Sequence, residues 1–120
     1  MVTNQRRIIA NSLFSRNQHV TAEQLYDQIK QSGHKVSKAT IYNTLGLFTD
    51  KGLVRMIFID AASSFYDSNI SHHHHFYNVD SRELADVELD LAPDSLVSNL
   101  PPGTELETVD LVFRIRNKRQ

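Results

Sequence analysis

The chain has 120 residues, 40% of them hydrophobic, with thirteen Lys/Arg, fourteen Asp/Glu and no cysteine; this length allows one domain or two very small ones around a modest core. The lack of cysteine excludes disulfides, thiolate zinc sites and cysteine nucleophiles, so any metal must use His, Asp or Glu. No apolar run approaches a membrane span, and the start, Met1 to Arg7, lacks the apolar segment of a secretory signal, so a cytoplasmic protein without membrane attachment is expected.

Charge is unevenly placed. Residues 1–62 carry eight Lys/Arg against four Asp/Glu, a balance of +4, whereas residues 63–120 carry five against ten, a balance of −5. A basic half joined to an acidic half suggests that one half meets a polyanion and the other does not.

Residues 4–15 read as a helix, with Ile9/Leu13 and Ala10/Phe14 spaced at i, i+4 and with Arg6 and Arg7 at its entry, where they can touch phosphate. His19 and Val20 precede a capping box from Thr21 to Gln24, which starts a second helix. Ala22, Leu25, Tyr26 and Ile29 form its buried stripe, and Gly33 ends it. After the short linker His34-Lys35-Val36, Ser37 is the N-cap of a third helix, with Val36 and Ile41 as a hydrophobic staple and Gly52 as the stop. Ile41, Leu45 and Phe48 should face the core.

Ala39, Tyr42, Asn43 and Gly46 then line the opposite side of the third helix, a small, flat and polar face with Lys35 and Lys38 at its N-terminal end. Such a face suits a DNA major groove, and the helix N-terminus can approach a phosphate. The plainer alternative is an ordinary solvated face, with Tyr42 packed at the edge of the core. The candidate DNA-contacting residues are Arg6, Lys35, Ser37, Lys38, Thr40, Tyr42 and Asn43. His34, in the turn, reads as a solvated surface residue.

Leu53 to Ile59 is rich in β-branched and aromatic residues, Asp60 to Ser63 reads as a turn, and Ser64 to Asp67 as a second strand. The expected fold class is therefore α+β: an N-terminal winged helix-turn-helix over residues 1–67, a hinge at 68–71, and a small α/β dimerisation and ligand-sensing domain over 72–120. In the latter, strands are expected at the histidine run, at Leu84 to Leu91 and at Thr104 to Arg116, with a short helix from Pro93 to Asn99. A sheet this small would gain by pairing with a copy of itself, so a homodimer is expected, which would duplicate the recognition helix for a palindromic operator in double-stranded DNA.

The run His72-His73-His74-His75 is the strongest chemical signal. In a strand, alternation sends His73 and His75 to one face and His72 and His74 to the other. With Asp67 upstream and His19 before the second helix, the set His19, Asp67, His73, His75 is chemically sensible for zinc, manganese or ferrous iron; haem, ligated by the histidines beside Phe76 and Tyr77, is the other possibility. No HExxH pattern is present and no acid is positioned as a general base, so an enzyme is not expected. A metal-storing or hydrolytic protein that uses its helices only for protein contacts is the competing class, and the basic recognition face argues against it.

Thr3-Asn4-Gln5-Arg6, His19 to Glu23, Ala39 to Leu45 and Lys51-Gly52-Leu53-Val54 together resemble the DNA-binding half of the ferric uptake regulator (Fur) superfamily, in order along nearly the whole chain. Tyr42-Asn43, the run Ser71 to Tyr77, and the ending Leu100 to Gly103 with Val109 to Arg116 resemble its iron response regulator (Irr) branch. That resemblance implies a dimeric winged-helix transcription factor of iron and haem homeostasis, with haem associated with His73, His74 and His75. The broader superfamily implies instead a regulator activated by a divalent corepressor (Fe, Mn or Zn) at His19, Asp67 and two of the histidines, here His73 and His75. The paired CxxC motifs of a structural four-cysteine zinc site and the Cys-Pro haem motif of some Irr proteins are both absent.

Overall fold

The computed structural model describes residues 3–61, 63–71, 73–89 and 97–119. Among these the elements run α1 (Asn4–Leu13), β1 (His19–Val20), α2 (Ala22–Gln31), α3 (Lys38–Asp50), β2 (Arg55–Asp60), β3 (Ser63–Asp67), β4 (His74–Asn78), β5 (Leu84–Val87) and β6 (Val112–Ile115). They fall into two compact units, Met1–Ser71 and His72–Gln120.

Caps fix where the helices of the first unit begin. Thr3 Oγ1 accepts from the Arg6 N–H at 3.2 Å, and Ser37 Oγ accepts from the Thr40 N–H at 3.1 Å. At α2 both halves of the capping box form: Thr21 Oγ1 accepts from Gln24 N–H, and Gln24 Oε1 accepts from Thr21 N–H. Gly33 and Gly52 follow α2 and α3 at φ +87° and +73°, conformations that a Cβ disfavours. α1 stops at Leu13, two residues short of the expected end. Gln18 explains the early stop, because its Nε2 donates to the carbonyls of Ser12 and Leu13 at 2.9 and 3.0 Å, satisfying the helix end from outside.

The three helices share one core of Ile9, Leu13, Leu25, Ile29, Ile41 and Leu45, each 0–1% exposed, closed by Val20, Val36, Phe48 and Val54. β1, β3 and β2 form an antiparallel sheet in that order. β1 has no counterpart in the sequence reading; two residues carry too little alternation to announce a strand, and it exists because Val20 and His19 pair with Tyr66 and Asp67 of β3. Residues 68–71 hydrogen-bond back into this unit, with Ser68 N–H donating to the Gln18 carbonyl and Asn69 N–H to Asp67 Oδ1.

In the second unit β4 is central, antiparallel to β5 and parallel to β6. Among the described residues few of its apolar side chains are buried. Tyr77 and Leu84, cross-strand partners, are each 6% exposed, Arg114 stacks over Tyr77, and Phe76 meets Phe113 at 5.7 Å.

Two expectations need correction. The last strand covers only Val112–Ile115, not Thr104 to Arg116, because β4 offers partners only from His75 to Asn78 and a strand persists only where a neighbour bonds it. β5 likewise ends at Val87. The Pro93–Asn99 helix lies largely outside the described residues, as do His72 and the end of the Leu84–Leu91 strand.

Candidate metal centre and nucleic-acid interface

On α3 the outer face is laid out as periodicity requires. Tyr42, Asn43, Ala39 and Gly46 are exposed, and Ile41, Leu45 and Phe48 are buried. Thr44 is also buried, at 2%. Ser37 and Thr40 belong to the cap, their hydroxyl oxygens 2.8 Å apart. Arg6 lies in the first turn of α1, half-buried. Lys35 is exposed and borders a cleft of about 580 Å³ together with Gln5, Lys30 and His34.

Lys38 and Tyr42 converge on a residue that the sequence reading did not single out. Glu23, in the first turn of α2, meets Lys38 Nζ at 2.9 Å through Oε2 and accepts from the Tyr42 hydroxyl at 3.4 Å through Oε1. Lys38 Nζ also lies 5.2 Å from the centre of the Tyr26 ring. The Glu23 carboxylate holds the Lys38 ammonium above its ordinary pKa, first through the hydrogen bond and then through charge. Tyr66, on the neighbouring strand, is also raised, by burial first and by Tyr42 second.

His19 and Asp67 stand opposite each other in the β1–β3 ladder, and Arg55 stands opposite Asp67 on the other side. Directly opposed residues share a face, so one row carries an imidazole, a carboxylate and a guanidinium. Asp67 is 2% exposed.

In the second unit the histidines divide between two faces. His74, 3% exposed, accepts at Nδ1 from the Leu111 N–H at 3.2 Å. His73 and His75 turn together, ring centres 4.6 Å apart, and their Nε2 atoms lie 3.2 and 3.3 Å from the same oxygen, Asp86 Oδ1. Asp86 is the donor missed from sequence. It reaches the histidines because β5 pairs with β4 in a register that sets it opposite His75. Alternation within Leu84 to Val87 offered it, but the choice needed the hairpin register, which the turn determines: Arg82, at φ +61°, closes that turn by donating its N–H to the Asn78 carbonyl at 2.8 Å.

This donor set fits a divalent cation. A charge-assisted N–H···O bond is shorter, about 2.7–2.9 Å, than the 3.2–3.3 Å found here. Donors 3.2–3.3 Å apart are close enough that His73, His75 and Asp86 could hold one cation at ligand distances of about 2.0–2.2 Å. Two imidazoles and a carboxylate suit zinc, manganese or ferrous iron.

A haem needs a histidine that presents a lone pair towards an open apolar surface. His74 and His75 are both 3% exposed, and the ring nitrogens described are directed to Leu111 and Asp86.

The chain is similar to known proteins in sequence and in fold. The model of the ferric uptake regulator family matches residues 1–113. The peroxide-responsive repressor PerR of Staphylococcus epidermidis is 36% identical over 74 residues, 62% of this chain and 49% of that protein; the chain spans about half the length of the curated relatives it matches. Among solved structures, the ferric uptake regulator of Vibrio cholerae superposes with TM-score 0.83 at 24% identity, covering 98% of this chain and 92% of that one. The ferric uptake regulator of Pseudomonas aeruginosa with manganese gives TM-score 0.72 at 28% identity, covering 98% and 90%.

Proposed function

Because this chain belongs to the ferric uptake regulator family, we propose that it is a DNA-binding transcriptional regulator whose affinity for DNA is set by a divalent metal ion. The observation that carries this reading is the meeting of His73 and His75 on Asp86 Oδ1. The proposed ligands are His73, His75 and Asp86, with His19 and Asp67 the further candidates named from the sequence. The metal supplies a positive charge that several neutral and anionic donors can share. The chain's own residues fix which donors are within reach, and His74, held by the Leu111 amide, stays out of the set.

The first unit acts as a winged helix, with α3 in the major groove and β2–β3 as the wing. Asn43 reads a base edge; Lys35, Arg6 and the capped start of α3, with Ser37 and Thr40, meet phosphates; Tyr42 reaches a phosphate or a thymine methyl. The second unit pairs with a second copy. Support comes from its small core and from edge strand β6, whose Phe113 and Ile115 are 38% and 41% exposed. A homodimer of this kind fits a palindromic operator.

Irr-type regulation by haem is the second reading. It is favoured by the aromatic pair of Phe76 and the exposed Phe113 on the strands beside the histidines, and it requires a buried histidine to leave its present partner.

Both readings are tested by measuring binding of the full chain to a duplex that it selects from a random library, at fixed salt. Loss of binding on chelation, restored by manganese or ferrous iron, supports the metal reading. Binding indifferent to chelation but abolished by haem supports the Irr-type reading and overturns the first.

A further inference from the structure

Lys38 and Tyr42 lie one turn apart on α3, and both reach back to one carboxylate on α2, that of Glu23. The contact is on the surface: the Lys38 and Glu23 side chains are each 56% exposed, so burial does not require them to pair. Around Lys38 the packed elements supply Glu23, Tyr26 and Asp27, all from α2, which raise its pKa, Glu23 most, and its ammonium lies 5.2 Å from the centre of the Tyr26 ring. The lysine in the first turn of the recognition helix is thus engaged before any nucleic acid arrives, by a group that itself repels phosphate.

We propose that Glu23 is a specificity-determining residue for DNA: it withholds Lys38 from the phosphate backbone while accepting from the Tyr42 hydroxyl on the face that meets the bases. The inference rests on the DNA-binding reading of α3. Binding to DNA of arbitrary sequence is almost wholly electrostatic, so a neutralised lysine weakens it directly. Binding to the chain's own target also draws on base contacts, to which a Tyr42 hydroxyl directed by Glu23 contributes. One carboxylate therefore lowers the first term and favours the second, and their ratio rises.

The test uses the full chain with manganese and two duplexes: one selected by the wild-type chain from a random library, and a scrambled duplex of the same composition. Affinities are measured across a potassium chloride series. For Glu23→Gln the scrambled duplex is expected to bind severalfold tighter, with a salt slope steeper by about 0.9, the value for one added phosphate contact. The ratio of selected to scrambled affinity should fall. Glu23→Asp keeps the charge but shortens the reach by one methylene, and should steepen the slope as well. In a Lys38→Gln background, Glu23→Gln should leave the slope unchanged.

An unchanged slope for Glu23→Gln overturns the proposal. So does a slope that steepens equally in the Lys38→Gln background, which would mean that Glu23 acts only by its own repulsion. Thermal unfolding of each variant verifies that the fold is kept; the exposed Glu23→Asp serves if Glu23→Gln is lost. Failure of the wild-type chain to select any duplex would overturn the DNA-binding reading itself and the inference with it.

Discussion

His75 and Asp86 face each other across the β4–β5 ladder, and the imidazole Nε2 stands 3.3 Å from Asp86 Oδ1, the same oxygen that His73 approaches at 3.2 Å. Asp86 is half exposed, so its removal opens no cavity in a core, but it takes the shared carboxylate from two nearly buried imidazoles. Asp86→Ala is expected to weaken manganese or zinc binding by at least about tenfold, the lower end of what removal of a supporting group costs. Its unfolding free energy in the metal-free state should fall by about 1–3 kcal/mol, because two nearly buried imidazoles lose that carboxylate. Calorimetric titration with each metal and urea unfolding check the two parts.

The first unit is held by its helical core and its caps. Leu25 is wholly buried, and Leu25→Ala should cost about 2–5 kcal/mol. Thr21→Ala removes the hydroxyl that accepts the Gln24 N–H and should cost about 1 kcal/mol. Leu53→Ala, at a position 49% exposed, should fall within about 0.5 kcal/mol of wild type. Urea midpoints rank the three; equal effects for Leu25 and Leu53 would contradict the core assignment.

Asn43 and Lys35 should fail in different ways. Asn43→Ala is expected to reduce preference for the selected duplex by about 1–3 kcal/mol at one base position while leaving the salt slope unchanged. Lys35→Gln should weaken all duplexes alike and make the slope shallower by about 0.9. Anisotropy titrations over a salt series separate the outcomes.

Tyr66 titrates above its ordinary value, because burial, and then Tyr42, disfavour its phenolate. An acid whose folded pKa is raised contributes stability that is complete below its unfolded pKa, about 10, and lost as pH rises through the higher folded value. Stability should therefore decline above about pH 10, and Tyr66→Phe should make that decline shallower. Alkaline unfolding curves with phenolate absorbance measure both.

What the sequence made legible follows from how local each signal is. Capping boxes and 3.6-residue periodicity involve neighbours within one or two turns, so Thr21, Ser37 and the buried stripes of α2 and α3 could be read directly. Alternation likewise divided His73 and His75 from His74. What depended on partners distant in sequence was not legible. Asp86 required the β4–β5 register, Glu23 required the approach of α2 to α3, and the length of β6 required knowing how much of β4 was available to bond it.

The claim that metal and DNA are coupled is tested most directly by reciprocity. If manganese raises the affinity of the chain for its selected duplex by some factor, the duplex must raise the affinity for manganese by the same factor. Manganese affinity should be measured on the full chain, free and saturated with duplex, alongside the His73→Ala/His75→Ala double variant. The account predicts tighter manganese binding in the complex, by the factor seen in DNA titrations, and loss of that gain in the variant. Equal manganese affinity with and without DNA would contradict it.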